Sequence, residues 1–263
     1  MRAVPALCVT VAAGMVAAVA GLAAVRAVVP PDVLQPTNDV CGGYLQTLGT
    51  IYAVLLAFVV FVVWTQANDA RRLVERQADE LADVLRVARA LGGPASSALL
   101  AAARAYARQV ADHEWPLLAA GGSCPRAAEL FDGMWSALAA AEPATAREEA
   151  LFAEAVSRFS EVGDARADLI HAGRVRLPAL LWLLLLSGGV GTVGSMYLFG
   201  AERFAPLAAM TASLAGAVSF MLFLIRHLDN PFRGDWRVRP DPILAAVAQA
   251  AGPPPAARPG TGP

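Results

Sequence analysis

From Thr50 to Leu91 the chain contains no glycine or proline, and the run changes character halfway. TIYAVLLAFVVFVVWTQ is almost wholly apolar, whereas ANDARRLVERQADELADVLRVARAL is charged and amphipathic. Without a residue that breaks the backbone ladder, such a run is expected to form a single helix. At 1.5 Å per residue it would be roughly 60 Å long, about twice the hydrocarbon thickness of a bilayer, so half of it has to stand in water beside the membrane. A rod crossing that boundary suits lining a pore or relaying a state.

Composition agrees with a membrane protein. Hydrophobic residues make up 57% of the 263 and charged ones only 16%, against about a quarter in soluble domains. A formal net charge of -1 and the lack of any basic stretch interleaved with aromatics exclude a nucleic-acid partner. Every cation is arginine; there is no lysine.

Four apolar segments are long enough to span: about residues 4–29, 47–64, 177–199 and 204–225. They fall into two pairs, in 1–64 and 177–226, on either side of a polar middle, 65–176. The first span opens with Arg2 like a signal peptide, but it is too long for one and no clean cleavage site follows, so an uncleaved anchor is expected. Arginines set the orientation. Arg71, Arg72 and Arg76 follow span two, Arg174 and Arg176 precede span three, and Arg226, Arg233, Arg237 and Arg239 follow span four, while the opposite connectors hold only Arg203. Both termini and the middle region are therefore expected on the cytoplasmic side of a bacterial inner membrane. Tyr52, Tyr197, Phe199 and Phe204 then fall near the outer interface, and Trp64 and Trp182 near the inner one. Residues 30–46 read as a short outer loop.

The middle region reads as helices throughout, which makes the chain all-α. Val74, Ala78, Leu81, Leu85 and Ala88 recur at spacings of four and three, the seam of a helix that packs on another. Gly92, Gly93 and Pro94 end it. A second helix is expected from an N-cap at Ser97 to Pro116, a third between Pro125 and Ala141, and a fourth from Thr145 and Glu148, spaced as a capping box. A short helix follows in 227–250. The tail 251–263, AGPPPAARPGTGP, is expected to be disordered. Within span three, Ser187, Gly188, Gly191, Gly194 and Ser195 are small, as are Ala212 and Gly216 in span four, a pattern that lets helix backbones approach closely within or between subunits.

Chemistry-bearing motifs are absent from the sequence. There is no G-x-S-x-G, P-loop or H-E-x-x-H, and Cys8, Cys41, Cys124 and the three histidines are scattered, so no enzyme, cofactor or metal site is expected. Arg71 with Glu75 and Arg76 with Glu80 read as ion pairs on a solvated helix face. His113 beside Glu114 reads as a helix end pinned by Trp115 and Pro116. The segment HLDNPFRGDWRVRPDPI after span four reads as a helix terminus: Asp229 and Asn230 can bond local backbone, Pro231 stops the helix, Gly234 frees a turn, and Phe232 is expected to be buried. Helix termination does not explain why so short a turn holds so many charges, Asp235 among them.

In order along the chain, YAVLLAFVVFVVW, AYARQVADHEWPLL, RVRLPALLWLLLL and LDNPFRGDWRV, within about Leu45 to Leu244, resemble the bacterial family of bestrophin-like membrane proteins. More distantly the chain resembles bestrophins proper. That resemblance implies a pentameric ion channel with four membrane helices per subunit, cytoplasmic ends and a pore lined by the second helix. It also implies an Asn-Pro-Phe-Gly turn after the last span. Asn230, Pro231 and Phe232 match the turn, with Arg233 inserted before Gly234. The acidic run that binds calcium in animal bestrophins is replaced here by Asp235 and Asp241 among Arg237 and Arg239, too few hard oxygen ligands for such a cage. The apolar pore constriction maps loosely onto Val54, Phe58, Phe61 and Thr65, which share one helix face. Two readings of that face stand open, a pore neck that gates by dewetting or a surface turned to lipid. At the level of function the alternatives are an oligomeric ion channel and a non-conducting scaffold or sensor that relays a state through the long second helix.

Overall fold

The structure, a computed structural model, describes residues 3–250, and every regular element among them is a helix. The tail 251–263, read above as disordered, lies outside the described residues. The chain divides into two units, Met1–Asn68 with Arg176–Arg237, and Asp69–Val175 with Val238–Pro263. One helix, α3 (Asn38–Leu91), contributes its first part to one and its remainder to the other.

The first unit contains α1 (Ala3–Val28), α2 (Pro31–Leu34), the start of α3, α8 (Ala179–Ser195) and α9 (Phe204–Leu228). Among the described residues four helices, α1, α8 and α9 with the Pro31–Leu91 stretch, are long and apolar enough to cross a membrane. α1 lies along α9, where small residues set the approach: a Cβ on Gly216 would stand 3.3 Å from the Met15 side chain, and one on Gly14 would strike Ser219. On α8, Gly188 and Gly189 make room for a tyrosine of α3, since a Cβ there would lie 2.6 Å from the Tyr52 ring and 2.9 Å from its hydroxyl. That hydroxyl donates to the Leu185 carbonyl at 2.9 Å, satisfying a polar group that hydrocarbon would leave without a partner. Part of the small-residue stripe of span three therefore serves contact inside the subunit. Below it Val59, Val63 and Ala67 of α3 pack with Leu177, Leu185, Ile225 and Leu228.

Residues 30–46, expected as a loop, are almost entirely helical. α2 leads through a 3₁₀ turn, Gln35–Thr37, into α3, which starts at Asn38 and absorbs Gly42, Gly43 and Gly49 without a left-handed residue. Tertiary contacts override the weak propensity of those glycines. Asn38 grips Gly200, accepting its N–H at 2.8 Å and donating to its carbonyl at 3.3 Å, and a Cβ on Gly200 would collide with the Pro31 carbonyl and the Gln35 N–H. Cys41 consequently lies within a helix rather than in a loop.

The second unit contains the rest of α3, α4 (Gly93–Gln109), α5 (Trp115–Ala119), α6 (Pro125–Ala139), α7 (Ala146–Arg174) and α10 (Asp241–Ala250). All five seam residues, Val74, Ala78, Leu81, Leu85 and Ala88, are buried, and Ala70, Gln77 and Val84 join them. After Leu91 the chain turns at Gly92 and Gly93, with φ of 74° and 73°, conformations that glycine adopts without a Cβ clash. α4 therefore begins ahead of the expected cap: Gly92 is its N-cap, Pro94 sits in the first turn where a missing N–H costs nothing, and Ser97 instead donates to the Pro94 carbonyl at 2.8 Å.

Nor does the second helix end at Pro116. It widens into a π-helical turn, Val110–Glu114, and continues as α5 to Ala119. The reason is local: Pro116 has no N–H to donate and its ring crowds the carbonyl one turn back, so the ladder loosens ahead of it and Trp115 N–H bonds to Val110. α6 follows as expected. The capping box of α7 is formed, with Thr145 accepting from Glu148 N–H at 3.2 Å and Glu148 accepting from Thr145 N–H at 3.2 Å. Aromatic rings of α6 and α7 stack, Phe131 on Phe159 at 4.7 Å between centroids. Ile243 and Val247 of α10 are buried, and α10 packs against α4.

Candidate functional site

Two features of the first unit and one of the second hold the residues singled out above. On α3, the face that packs inward is Val59, Val63 and Ala67. Val54, Phe58 and Phe61 point the other way, with exposures of 66%, 64% and 67%, and Thr65 is exposed beside them. The Thr65 hydroxyl donates to the Phe61 carbonyl at 2.9 Å, so this polar group is absorbed by its own helix and the face stays apolar. Val40, Tyr44 and Ile51 continue the same face toward the start of α3 and are also exposed. Val40 and Tyr44 fall within 30–46, the segment expected as an outer loop.

The segment after α9 forms a tight turn. Asp229 caps the helix through its N–H to Ile225 (2.8 Å), and its carboxylate accepts from Leu177 N–H at 2.7 Å, tying the end of α9 to the approach to α8. Asn230 accepts from Phe232 N–H at 3.2 Å through its side chain and from Arg233 N–H at 3.1 Å through its carbonyl, which closes the turn around Pro231. Pro231 and Phe232 are buried, Phe232 to 2% exposure, while Asp235 and Trp236 are exposed. Gly234 has φ of 89°, which accounts for glycine at that position. Beside the turn lies a cavity of about 390 Å³ lined by Arg176, Arg226, Arg233, His227, Asp229 and Trp182, with Asn230 and Gly234 at its wall. Partial burial pulls the Arg176 guanidinium below its ordinary range, and the Asp229 carboxylate offsets part of that shift.

His113 and Glu114 are not brought together. His113 is exposed, whereas the π-helical turn drives Glu114 into the interior at 1% exposure, where its carboxylate takes both forks of Arg166 at 2.6 and 2.7 Å and the Cys124 N–H at 3.2 Å. Arg166 also donates to the Tyr106 hydroxyl at 3.1 Å, which accepts from Gln77 at 2.7 Å. Burial works against the Arg166 charge, but its bonds to Glu114 and Tyr106 more than offset this and hold the guanidinium above its ordinary value. Burial pushes the Tyr106 phenol up to about 12. No motif announced this pair, because its members lie on separate helices. Arg76 and Glu80, expected to pair along their own helix, reach α7 instead, at Glu161 (2.8 Å) and Arg158 (3.5 Å).

A family model described as the bestrophin-like domain matches residues 12–243. The chain belongs to the bestrophin-like family. No curated protein and no solved structure matches it. Membership in this channel-like family, together with four helices of spanning length and apolarity, makes the bestrophin-like chain a membrane protein. Among its described residues no group of three or more histidine, cysteine or acidic side chains is disposed to hold a metal ion. All three cysteines are free thiols.

Proposed function

We propose that this bestrophin-like chain assembles as a homo-oligomer in the bacterial inner membrane and conducts ions along an axis lined by α3. The supporting observation is the orientation of that helix. Its inward face is fully used by Val59 and Val63, yet Val54, Phe58 and Phe61 present large apolar side chains outside the subunit's own packing. A ring of such side chains around a symmetry axis would form a neck that resists wetting until it widens. In the same reading the arginine-rich ends put both termini and residues 65–176 in the cytoplasm, and the turn from Asp229 to Asp235 at the inner interface.

Reconstitution in proteoliposomes tests this directly. Phe58→Ala or Phe61→Ala should raise ion flux above the parent, and cysteines placed at Val54 or Phe58 should crosslink between subunits. Silence of the parent and of both substitutions, with no crosslinking, sinks the channel and leaves the second reading, a scaffold or sensor. That reading draws support from the unbroken run of α3 from Asn38 to Leu91 and from its buried seam.

A further inference from the structure

We propose that the cavity beside the end of α9 binds a phosphate group. Three arginines converge on it from different segments: Arg176 ahead of α8, Arg226 in the last turn of α9 and Arg233 in the turn beyond. Asp229, the carboxylate in its lining, accepts the Leu177 N–H at 2.7 Å and also attracts Arg176, so three arginines share the space with one acid. A helix C-terminus attracts cations through its dipole, which accounts for Arg226 and His227. It does not account for Arg176 and Arg233, which come from other segments to the same space. Like charges gathered in one cavity repel, and a tetrahedral oxyanion relieves that repulsion with several oxygens, each able to take a guanidinium fork.

His227 forms part of the cavity wall and is not one of its donors. Its Nδ1 lies 3.0 Å from the Phe223 carbonyl, which only accepts, so Nδ1 carries the hydrogen and Nε2 of the neutral ring offers a lone pair. The ring stacks on Phe223 at 3.9 Å, which fixes its plane and leaves the guanidinium groups as the donors for an oxyanion. Depth adds a further argument. The cavity lies where α8 begins and α9 ends, and both helices are of membrane-crossing length and apolarity, so it stands at the level of lipid headgroups. A lipid phosphate and a free phosphate share the recognised chemistry.

The test needs no ion flux, so its outcome is independent of conduction. The full chain, purified in a phosphate-free maltoside detergent, is titrated with inorganic phosphate and pyrophosphate while tryptophan emission is followed, since Trp182 lines the cavity. Lipid retained by the detergent-purified chain is identified by native mass spectrometry. Saturable binding in the first arm assigns a soluble phosphate; retention of phosphatidylglycerol without phosphate titration assigns the headgroup. In either case R226Q/R233Q should bind about tenfold more weakly or worse, because charge-assisted bonds are lost, and R226K/R233K, which keeps the charge but loses the forks, should bind between that variant and the parent. Both positions are exposed, so the fold is expected to survive, as checked by unchanged melting. No saturable binding in either arm, or equal binding by R226Q/R233Q, overturns the proposal.

Discussion

Replacing Glu114 by glutamine isolates the energetics of the second unit. The carboxylate is 1% exposed and accepts three donors: Arg166 Nη1 at 2.6 Å, Arg166 Nη2 at 2.7 Å and Cys124 N–H at 3.2 Å. A glutamine keeps one oxygen, which can serve one or two of them, and turns an NH₂ toward another donor. Arg166 stays charged, since a guanidinium does not give up its proton inside a protein, and its side chain is only 9% exposed. A buried guanidinium is then left without a counter-ion, which costs about 3–5 kcal/mol. For a chain of this size that corresponds to roughly 6–20 °C in melting temperature. Replacing both members, as Glu114→Leu with Arg166→Met, removes the charge as well as its partner and should recover most of the loss. The assay is thermal and denaturant unfolding in detergent for the parent, each single variant and the pair, read as a double-mutant cycle. A melting shift under about 2 °C for Glu114→Gln, or a pair no better than the worse single variant, would refute the reasoning that an uncompensated buried charge dominates.

Four further outcomes are expected. Ala70→Pro, at a fully buried position inside α3, should cost about 3 kcal/mol and reduce helicity measured by circular dichroism, because it deletes a ladder bond and clashes one turn back; unchanged helicity and assembly would contradict a continuous helix. Phe232→Ala should destabilise by about 3–5 kcal/mol in thermal melts, given 2% exposure of the ring. Tyr106 has its phenol raised to about 12 by burial against an ordinary value of 10, so the folded state holds the proton more tightly; stability should be intact below pH 10 and fall as pH rises from 10 to 12 by roughly 3 kcal/mol, and Tyr106→Phe should remove that fall from a stability profile in alkaline buffers. Orientation can be read with an impermeant thiol reagent, but Cys124 is buried and would resist it from either side; in a Cys124→Ala background, a cysteine at exposed Ser97 should escape labelling in intact cells while half-buried Cys41 reacts, and labelling of the Ser97 position alone would reverse the topology.

Sequence periodicity carried far where one helix face decides the matter. Val74, Ala78, Leu81, Leu85 and Ala88 are buried as their spacing implied, and Thr145 with Glu148 caps α7 as its motif implied. Both are short-range patterns on one helix, where the backbone repeat fixes which residues share a face. The errors fall where a distant partner intervenes or where a helix absorbs a proline without ending. Asn38 and Gly200 hold the start of α3 helical through three glycines, and Pro116 is accommodated by widening the helix ahead of it instead of ending it.

By itself, then, the sequence determined an all-helical membrane chain with four segments of spanning length and one helix passing from apolar to charged surroundings. It could do so because hydropathy and helix period are local and additive. Only the tertiary structure decided that Gly188 and Gly189 make room for Tyr52, that Glu114 turns inward to Arg166, and that Arg176, Arg226 and Arg233 face one cavity. Each of these depends on side chains from different helices converging within a few ångströms, and a single chain's residue order carries no term for that distance.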